Sequence, residues 1–221
     1  MTGASILPIA YHNGQYYFLF GKENPMEDSS RGWSDFGGSM EKGETDPFKT
    51  AVREFEEETT GFFGDTIKDA GGAGGDGGAG GRGHYYHDGR DYHVHLVNIP
   101  YDEKLPFYYN NNHAFLWNRM NKKVLNDTKL FEKIEIRWFS ILDIKKQIGL
   151  FRHFYRDIIL DLLGVFPVLV KDIKKNKKVV IRTRTRHAHT PHTRASNAST
   201  KKRRMDKTNK IKNRTLTPFI N

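Results

Sequence analysis

The chain has 221 residues, enough for one domain with a substantial hydrophobic core, and its net charge is +10. The charge is divided unevenly: residues 171–221 hold 17 Lys and Arg against 2 Asp and Glu, and residues 1–170 hold 19 against 24. The absence of cysteine excludes a disulfide scaffold and thiol catalysis, and no stretch reaches the roughly 20 apolar residues that a membrane span requires.

The N-terminal segment MTGASILPIAYHNG has neither a positive region nor a long apolar run. The sequence therefore predicts no signal peptide, and we expect an intracellular protein, cytoplasmic or nuclear. Residues 5–10 and 15–21 are predicted to form a hairpin, because the second segment is rich in aromatic residues and HNG favours a turn. The run WSDF at residues 33–36 predicts a short strand that delivers two glycines, at which a backbone can approach a ligand closely.

A predicted helix that follows the N-cap Asp46 and ends near Gly61 carries three clustered carboxylates. At about 100° per residue, Glu54, Glu57 and Glu58 share a sector roughly 100° wide. Glu54 and Glu58 repel each other at positions i and i+4, so a cation is expected beside them. Mg²⁺ suits this requirement, because it takes carboxylate oxygens and bridges to phosphates. The alternative interpretation is the solvated acidic face of a surface helix.

The stretch at residues 38–62 reads GSMEKGETDPFKTAVREFEEETTGF. It resembles the Nudix box, whose pattern is G-x5-E-x7-R-E-U-x-E-E-x-G-U with U a bulky apolar residue. Every defined position is filled, by Gly38, Glu44, Arg53, Glu54, Phe55, Glu57, Glu58, Gly61 and Phe62. Two spacings are one residue longer than the pattern, before Arg53 and after Glu58, so the block between them keeps its internal register.

The resemblance implies an α/β fold, a Nudix-type α/β/α sandwich with a mixed central sheet over residues 1–168, and a hydrolase that acts on diphosphate linkages. It also implies that Mg²⁺ or Mn²⁺ is bound by Glu54, Glu57, Glu58 and the Gly38 carbonyl oxygen, and that Glu44 and Arg53 tie the preceding loop to the helix. In this family water attacks a phosphorus atom of the diphosphate. Which carboxylate accepts the proton varies, so Glu54 and a glutamate from a later loop are both candidates.

Nine of the thirteen residues at 71–83 are glycine, and this low-complexity composition predicts a flexible insertion in the domain. His93 and His95 follow on a predicted strand at residues 92–101, where they would share one face at a spacing that can chelate a transition metal. No third ligand is visible at a suitable place. The alternative is a strand of the sheet with two histidines that face solvent or substrate.

The rest of the domain is predicted as a short strand at residues 114–117, a strand at 133–140 and helices at 142–148 and 151–163. In the late part of Nudix domains an acidic residue often completes the metal site. Glu132 and Glu135 are the candidates for that role, and the alternative for each is a solvated strand face.

Residues 169–221 form a basic tail that contains few large apolar residues, so we expect it to be disordered. Within it, KKRR at residues 201–204 matches a nuclear import signal. The tail also predicts an RNA partner, because clustered Lys and Arg bind phosphates.

The Nudix box does not determine the substrate, because loops outside it select which group is attached to the diphosphate. A nucleoside diphosphate derivative is the first expectation, and the basic tail adds capped RNA and diphosphoinositol polyphosphates. The run WSDFGG together with the tail is similar to Nudix proteins of large DNA viruses of eukaryotes. The alternative function is a Nudix-fold module that binds nucleotides or RNA without cleaving them.

Overall fold

In the computed structural model the chain begins with a hairpin of two long strands, β1 (Gly3–His12) and β2 (Gln15–Glu23), which pair antiparallel. Asn13 and Gly14 connect them with φ values of 48° and 82°. Two consecutive positive φ angles are typical of the tight two-residue turn whose twist matches that of the flanking strands. The hairpin predicted from the aromatic residues and the HNG turn is confirmed.

The described residues are 2–25, 31–67, 82–121, 123–124, 131–173 and 180–183. They belong to a unit that spans residues 1–186, and residues 187–221 form a second unit outside the described ranges. The predicted disorder of the tail beyond residue 183 and the predicted flexibility of residues 71–81 therefore lie outside the described residues.

Two short strands follow β2 in the chain and bring Gly37 and Gly38 to the middle of the sheet. β3 (Trp33–Ser34) pairs with β2, and β4 (Phe36–Ser39) pairs with the N-terminal half of β1. Asp35 lies between them and is buried; its carboxylate accepts hydrogen bonds from Ser5 Oγ at 2.5 Å and from the Tyr92 hydroxyl at 3.1 Å. Burial raises the pKa of Asp35 to about 6, in spite of these donors.

The pairing of β4 with β1 requires glycine at position 37. A Cβ built on Gly37 would lie 2.4 Å from the carbonyl oxygen of Ala4 and 2.4 Å from Ser5 Cβ. Both neighbours belong to β1, which is buried in the centre of the sheet and has no room to move. The close approach fixes the position of the next residue, Gly38, against the helix that follows.

The other strands complete one mixed sheet in the described part of the chain: β5 (Arg82–His87), β6 (Tyr92–Asn98), β7 (Lys133–Ser140) and β8 (Val180–Thr183). The strand order is β3-β2-β1-β6-β5-β8, with β4 beside β1 and β7 beside β2. β1 runs parallel to β6, and β5 runs parallel to β8, whereas the other neighbours are antiparallel. The mixed central sheet is confirmed.

Helices cover both faces of the sheet: α1 (Pro47–Glu58), α2 (Leu105–Arg119), the short α3 (Ile141–Lys146) and α4 (His153–Ile173). Ile158 and Leu162 of α4 share a buried apolar cluster with Leu96 of the sheet. Phe55 of α1 and Tyr109 of α2 belong to a second buried cluster on the opposite face. The chain therefore folds as the predicted α/β/α sandwich. Among the described residues, no helix combines the length and the apolarity that crossing a membrane would take.

The short strand predicted at residues 114–117 is wrong, because these residues lie within α2. Its apolar side chains do not form one stripe, since Phe107 and Phe115 are 65% and 54% exposed. A tertiary contact holds the helix instead: the buried Tyr109 hydroxyl donates to the backbone oxygens of Glu58 and Lys133, at 3.2 and 3.1 Å. Packing of this kind overrides weak local periodicity.

Elements of the structure extend across two predicted boundaries. The sequence places the end of the domain at residue 168, but α4 continues to Ile173, because Leu169 and Ile173 extend its buried stripe. β8 then adds a strand to the sheet edge at β5. The predicted insertion at residues 71–83 overlaps this edge, because Arg82 and Gly83 already belong to β5. The division of the chain into a domain and a tail stays a prediction.

We predict that Gly37→Ala lowers the free energy of unfolding by about 1–3 kcal/mol, because the added methyl group overlaps the backbone of β1. The measurement is equilibrium unfolding in guanidinium chloride. Gly164→Ala is the matched control, because it lies in α4 with no atom within 4 Å of the added Cβ, and helix propensity favours alanine there. An unchanged stability of Gly37→Ala would show that β1 and β4 can separate without cost.

Candidate active site

The helix that carries the box, α1, begins and ends as the sequence predicts. The Asp46 carboxylate accepts a hydrogen bond from the Phe48 backbone N–H at 2.9 Å, which satisfies a free donor of the first turn. After Glu58 the backbone leaves the helix through Thr60 and Gly61, both with positive φ (53° and 68°), and the Gly61 N–H donates to Glu56 O at 2.9 Å. The extra residue between Glu58 and Gly61, relative to the Nudix pattern, therefore lies after the last helical turn.

The structure brings Glu44 and Arg53 together in a bidentate ion pair. Arg53 Nε and Nη2 lie 3.1 and 3.2 Å from the two carboxylate oxygens of Glu44, whose Oε2 also accepts hydrogen bonds from Thr50 Oγ1 and the Glu41 N–H, each at 2.8 Å. The Arg53 guanidinium, followed by these two donors, lowers the pKa of Glu44 to about 2. The loop before the helix is thus tied to it despite the longer spacing.

Arg53 also touches two of the predicted metal ligands. Its Nη1 lies 2.8 Å from Glu54 Oε1 and 3.3 Å from Glu57 Oε2. The contacts with Glu44 and Glu54 raise the pKa of the guanidinium above its ordinary value, although partial burial opposes them. Glu57 is 41% exposed and is turned toward Arg53. Arg53 therefore partly neutralises four carboxylates, since its Nη1 also lies 3.9 Å from Glu41 Oε1.

The two glycines of β4 lie directly against the carboxylates of α1. A Cβ on Gly38 would come within 2.5 Å of Glu54 Cδ, so only a residue without a side chain lets this carboxylate reach the strand. The Gly37 N–H donates a hydrogen bond to Glu58 Oε2 at 2.9 Å. The backbone of β4 and the acidic face of α1 together form one wall of the site.

A buried lysine supports Glu58 from the other side. Lys133, the first residue of β7, has no exposed surface, and its Nζ lies 3.0 Å from Glu58 Oε1 and 3.0 Å from Ser34 Oγ. It also contacts the buried carboxylate of Glu23, whose Oε1 lies 2.6 Å from Arg152 Nη1. Burial raises the pKa of Glu58 well above its ordinary value, and the positive charge of Lys133 opposes this effect.

These groups surround a cleft of about 410 Å³. Its lining consists of Glu23, Gly37, Gly38, Ser39, Met40, Glu41, Glu54, Glu58, Glu132 and Arg152. Five of these residues carry carboxylates and one, Arg152, carries a positive charge. Of the two candidates for a later acidic residue, Glu132 lines the cleft. Glu135 does not, because it pairs with Lys22 on β2 at 3.2 Å and is half-exposed there.

The donor set of the cleft fits a hard divalent cation, since carboxylate and backbone carbonyl oxygens are the ligands that Mg²⁺ and Mn²⁺ prefer. Within the described ranges, no three acidic or histidine side chains are already gathered around one point as a metal site. The reason lies in the ion pairs: Arg53 holds Glu54 and Glu57, and Lys133 holds Glu58. A bound cation would compete with these internal partners.

The histidines of β5 and β6 form a separate cluster. His84 stacks on His93 and His95, with ring centroids 5.1 and 4.5 Å apart, and its Nε2 lies 2.9 Å from His93 Nδ1. Burial, followed by the neighbouring positive and histidine groups, lowers the pKa of His95 to about 2, so its ring is neutral. The chelating arrangement considered for His93 and His95 has no support in the part of the chain that the structure covers.

The family model of the NUDIX domain matches residues 2–162, which is most of the chain. The chain belongs to the Nudix hydrolase family. Proteins of this family are generally metal-dependent hydrolases that cleave diphosphate linkages in nucleoside diphosphate derivatives. The resemblance inferred from the box is confirmed.

Known proteins resemble this Nudix chain to different extents. Uncharacterized protein L534 of Acanthamoeba polyphaga mimivirus is 41% identical over 61 residues, which cover 27% of this chain and 20% of that protein, so the match spans about a fifth of the relative. A C. elegans Ap4A hydrolase in a binary complex is 16% identical, with a TM-score of 0.39 and coverage of 78% of this chain and 98% of that chain. The Nudix hydrolase RenU of M. smegmatis is 14% identical, with a TM-score of 0.41 and coverage of 76% and 88%.

Three residues of the Nudix site escape prediction from the sequence: Glu23, Lys133 and Arg152. Glu23 and Lys133 are 110 positions apart, and no motif connects the end of β2 with the start of β7. The sequence gives one signal: two charged residues, Glu132 and Lys133, stand side by side where the KIEIRWFS strand begins. That signal does not show which of the two side chains points inward.

Proposed function

We propose that this chain is a divalent-metal-dependent pyrophosphohydrolase that cleaves the diphosphate linkage of a nucleoside diphosphate derivative. The observation that carries the proposal is the cleft of about 410 Å³, in which five carboxylates face a single arginine among the lining residues. Such an excess of negative charge favours a bound cation, and a diphosphate would be repelled without one. The Gly38 carbonyl oxygen of β4, beside α1, would supply a neutral oxygen ligand.

The proposed metal ligands are Glu54, Glu57, Glu58 and the Gly38 carbonyl oxygen, with Mg²⁺ or Mn²⁺ as the ion. The bound metal would lower the pKa of an attacking water and neutralise the charge that develops on the bridging phosphate oxygen. The Glu57 side chain is 41% exposed, and its ion pair among the described residues is with Arg53 Nη1 at 3.3 Å. It can therefore turn toward the cleft at little cost.

The other residues of the site position these ligands. The bidentate pair of Arg53 and Glu44 holds α1 against its loop, and this supports a positioning role for both. Lys133 and the Gly37 N–H fix the two oxygens of Glu58, so this carboxylate enters the cleft in one orientation. Glu54 and Glu132 line the cleft and are the two candidates for accepting the proton from water.

We predict that Glu54→Gln lowers kcat by at least about a hundredfold, because it removes a charge that both holds the metal and can accept a proton. Glu56→Gln is the matched control: it removes a carboxylate from the same helix outside the cleft lining and should retain near wild-type turnover. The assay screens dinucleoside polyphosphates, nucleotide sugars, nucleoside triphosphates, capped RNA and diphosphoinositol polyphosphates with Mg²⁺ and with Mn²⁺.

The alternative function, a Nudix-fold module that binds nucleotides without cleaving them, predicts a different result. In that case the wild-type protein would bind nucleotides and turn over none of the substrates with either metal. Equal losses in Glu54→Gln and Glu56→Gln would instead show that the helix tolerates no substitution, and the assignment of Glu54 would be wrong.

We further propose that the basic tail widens the substrate range to long polyanions, capped RNA above all. The charge division supports this proposal: residues 1–170 carry an excess of five acidic groups, whereas residues 171–221 carry an excess of fifteen basic ones. The domain alone would repel a long polyanion, and Lys and Arg on the tail can contact phosphates beyond the cleft. Nuclear import through residues 201–204 is the competing role of the same segment and would place the protein in the nucleus.

We predict that truncation after Arg186 weakens binding of a capped RNA oligonucleotide and flattens its dependence on salt. The truncation keeps α4 and β8 and removes nine Lys and Arg against one Asp. Hydrolysis of a small dinucleotide should change little, because the cleft is intact. The control replaces the same nine residues by Gln in the full-length chain and should reproduce the truncation. Equal RNA affinity and equal salt slopes with and without the tail would rule out this role.

A further inference from the structure

The side of α2 that faces solvent exposes three large aromatic side chains. Phe107, Tyr108 and Phe115 are 65%, 52% and 54% exposed and lie outside the two buried clusters. Single exposed apolar residues are common on protein surfaces, but several on one face indicate a binding surface. At about 100° per residue, these three and their exposed neighbours share a sector roughly 120° wide. This outer face consists of Lys104, Phe107, Tyr108, Asn111, Phe115 and Arg119.

The inner side of α2 holds the helix on the domain. Asn110 makes two hydrogen bonds with the backbone of Ile136 on β7: its Oδ1 accepts at 2.9 Å, and its Nδ2 donates at 3.3 Å. The buried Tyr109 hydroxyl donates to two further backbone oxygens, at 3.2 and 3.1 Å. Trp117 lines an apolar cavity of about 380 Å³ between α2 and the start of β7. These contacts all lie opposite the outer face, so its aromatic residues are open to a ligand.

The segment that carries the outer face is basic, although the domain around it is acidic. Residues 104–124 hold four Lys and Arg and no Asp or Glu, which leaves 15 against 24 for the rest of residues 1–170. The same 21 residues contain five aromatic residues of the Phe, Tyr and Trp types and five Asn. Aromatic rings, amides and positive charges without acidic groups are typical of surfaces that bind nucleic acid.

Arg119 and Phe115 form a stacked pair near the C-terminal end of α2. The guanidinium carbon lies 4.0 Å from the centroid of the Phe115 ring. Bases of single-stranded RNA stack on aromatic rings and on guanidinium planes, and the charge of Arg119 can contact a phosphate. Phe107 lies eight residues earlier, about 12 Å along the helix axis, which corresponds to roughly three or four stacked nucleotides at about 3.4 Å each.

We propose that the outer face of α2 binds single-stranded RNA, with bases stacked on its aromatic rings and phosphates paired with Lys104 and Arg119. Asn111 lies between the rings, and its amide is a group that pairs with base edges and with the 2′-hydroxyl. The surface goes beyond the proposed hydrolysis and is separate from the basic tail, because RNA binding here requires neither a working cleft nor residues 187–221.

The charge of the outer face argues against a second copy of this chain as its occupant. In a two-fold dimer the same surface patch of both subunits is in contact, so Lys104 and Arg119 would approach their own copies. Residues 104–124 supply no acidic group that could pair with them. The phosphates of an RNA strand supply that negative charge.

The test measures the binding of a single-stranded RNA oligonucleotide to the full-length protein by fluorescence anisotropy without divalent metal. Raised salt weakens the phosphate contacts of the tail more than base stacking. Under these conditions Phe115→Leu should weaken binding about tenfold, the loss expected for one stacked base. Tyr11→Leu is the matched control, because Tyr11 is 53% exposed but lies in the hairpin, so the affinity should not change.

Two further measurements separate stacking from charge. Duplex RNA of the same sequence should bind Phe115→Leu and wild type equally, because its bases are stacked on each other. Arg119→Gln should reduce the dependence of single-stranded RNA binding on salt by about one phosphate contact. Arg90→Gln is the control for charge, because Arg90 is a surface residue that pairs with Asp157 at 2.6 Å on the other side of the sheet from α2.

The outcomes separate this inference from the proposed function. Phe115→Leu should hydrolyse a small dinucleotide as wild type does, and this also checks that the variant folds. Equal affinities of Phe115→Leu and wild type for single-stranded RNA would overturn the RNA surface alone. A tenfold loss of RNA affinity in a protein that hydrolyses no substrate would support the surface and overturn the proposed function.

A competing occupant gives a different result. A wild-type dimer in light scattering that becomes a monomer in Phe115→Leu, with RNA affinity unchanged, would assign the outer face to a second copy. Binding of anionic lipid vesicles that Phe115→Leu abolishes, again with unchanged RNA affinity, would assign it to a membrane surface. Either result would overturn the proposal.

Discussion

The fold must hold five carboxylates around one cleft, and the rest of the site depends on how their repulsion is compensated. Three cations of the chain compensate this repulsion, and one of them is Arg152, whose Nη1 lies 2.6 Å from Glu23 Oε1. Arg53 lies among Glu44, Glu54 and Glu57 at the surface of α1, and the buried Lys133 contacts Glu58 from β7. Buried charges are tolerated only when they are paired and hydrogen-bonded, so these contacts allow the carboxylates to be gathered in the folded chain.

The sheet places these charges in contact through backbone geometry. Gly37 lets β4 approach β1, and as a result the backbone of Gly38 lies against the Glu54 carboxylate. Tyr109 then joins the backbone at Glu58 and Lys133 to α2, whose aromatic side chains line the neighbouring apolar cavity. The acidic cleft and the apolar cavity between α2 and the start of β7 thus both depend on the contacts of Tyr109.

The sequence was sufficient where local rules decide the structure. The cap at Asp46, the register of the acidic residues on α1, the hairpin turn and the β7 strand all follow from spacing and turn chemistry, and the family follows from the box. It was insufficient where distant segments decide. The pair of Glu23 and Lys133 joins positions 110 residues apart, and α2 is held by tertiary contacts that its weak periodicity does not reveal.

The most direct test of this account is the stability of Lys133→Met. Loss of the ammonium leaves the buried Glu58 carboxylate with the Gly37 N–H but without its positively charged partner, and it leaves Arg152 as the remaining cation at Glu23. The free energy of unfolding should therefore fall by about 3–5 kcal/mol in the absence of divalent metal. Lys22→Met is the control, because Lys22 pairs with Glu135 at 3.2 Å on the surface, and its loss should cost at most about 1 kcal/mol. Equal stabilities of the two variants would contradict the claim that Lys133 compensates the carboxylates of the cleft.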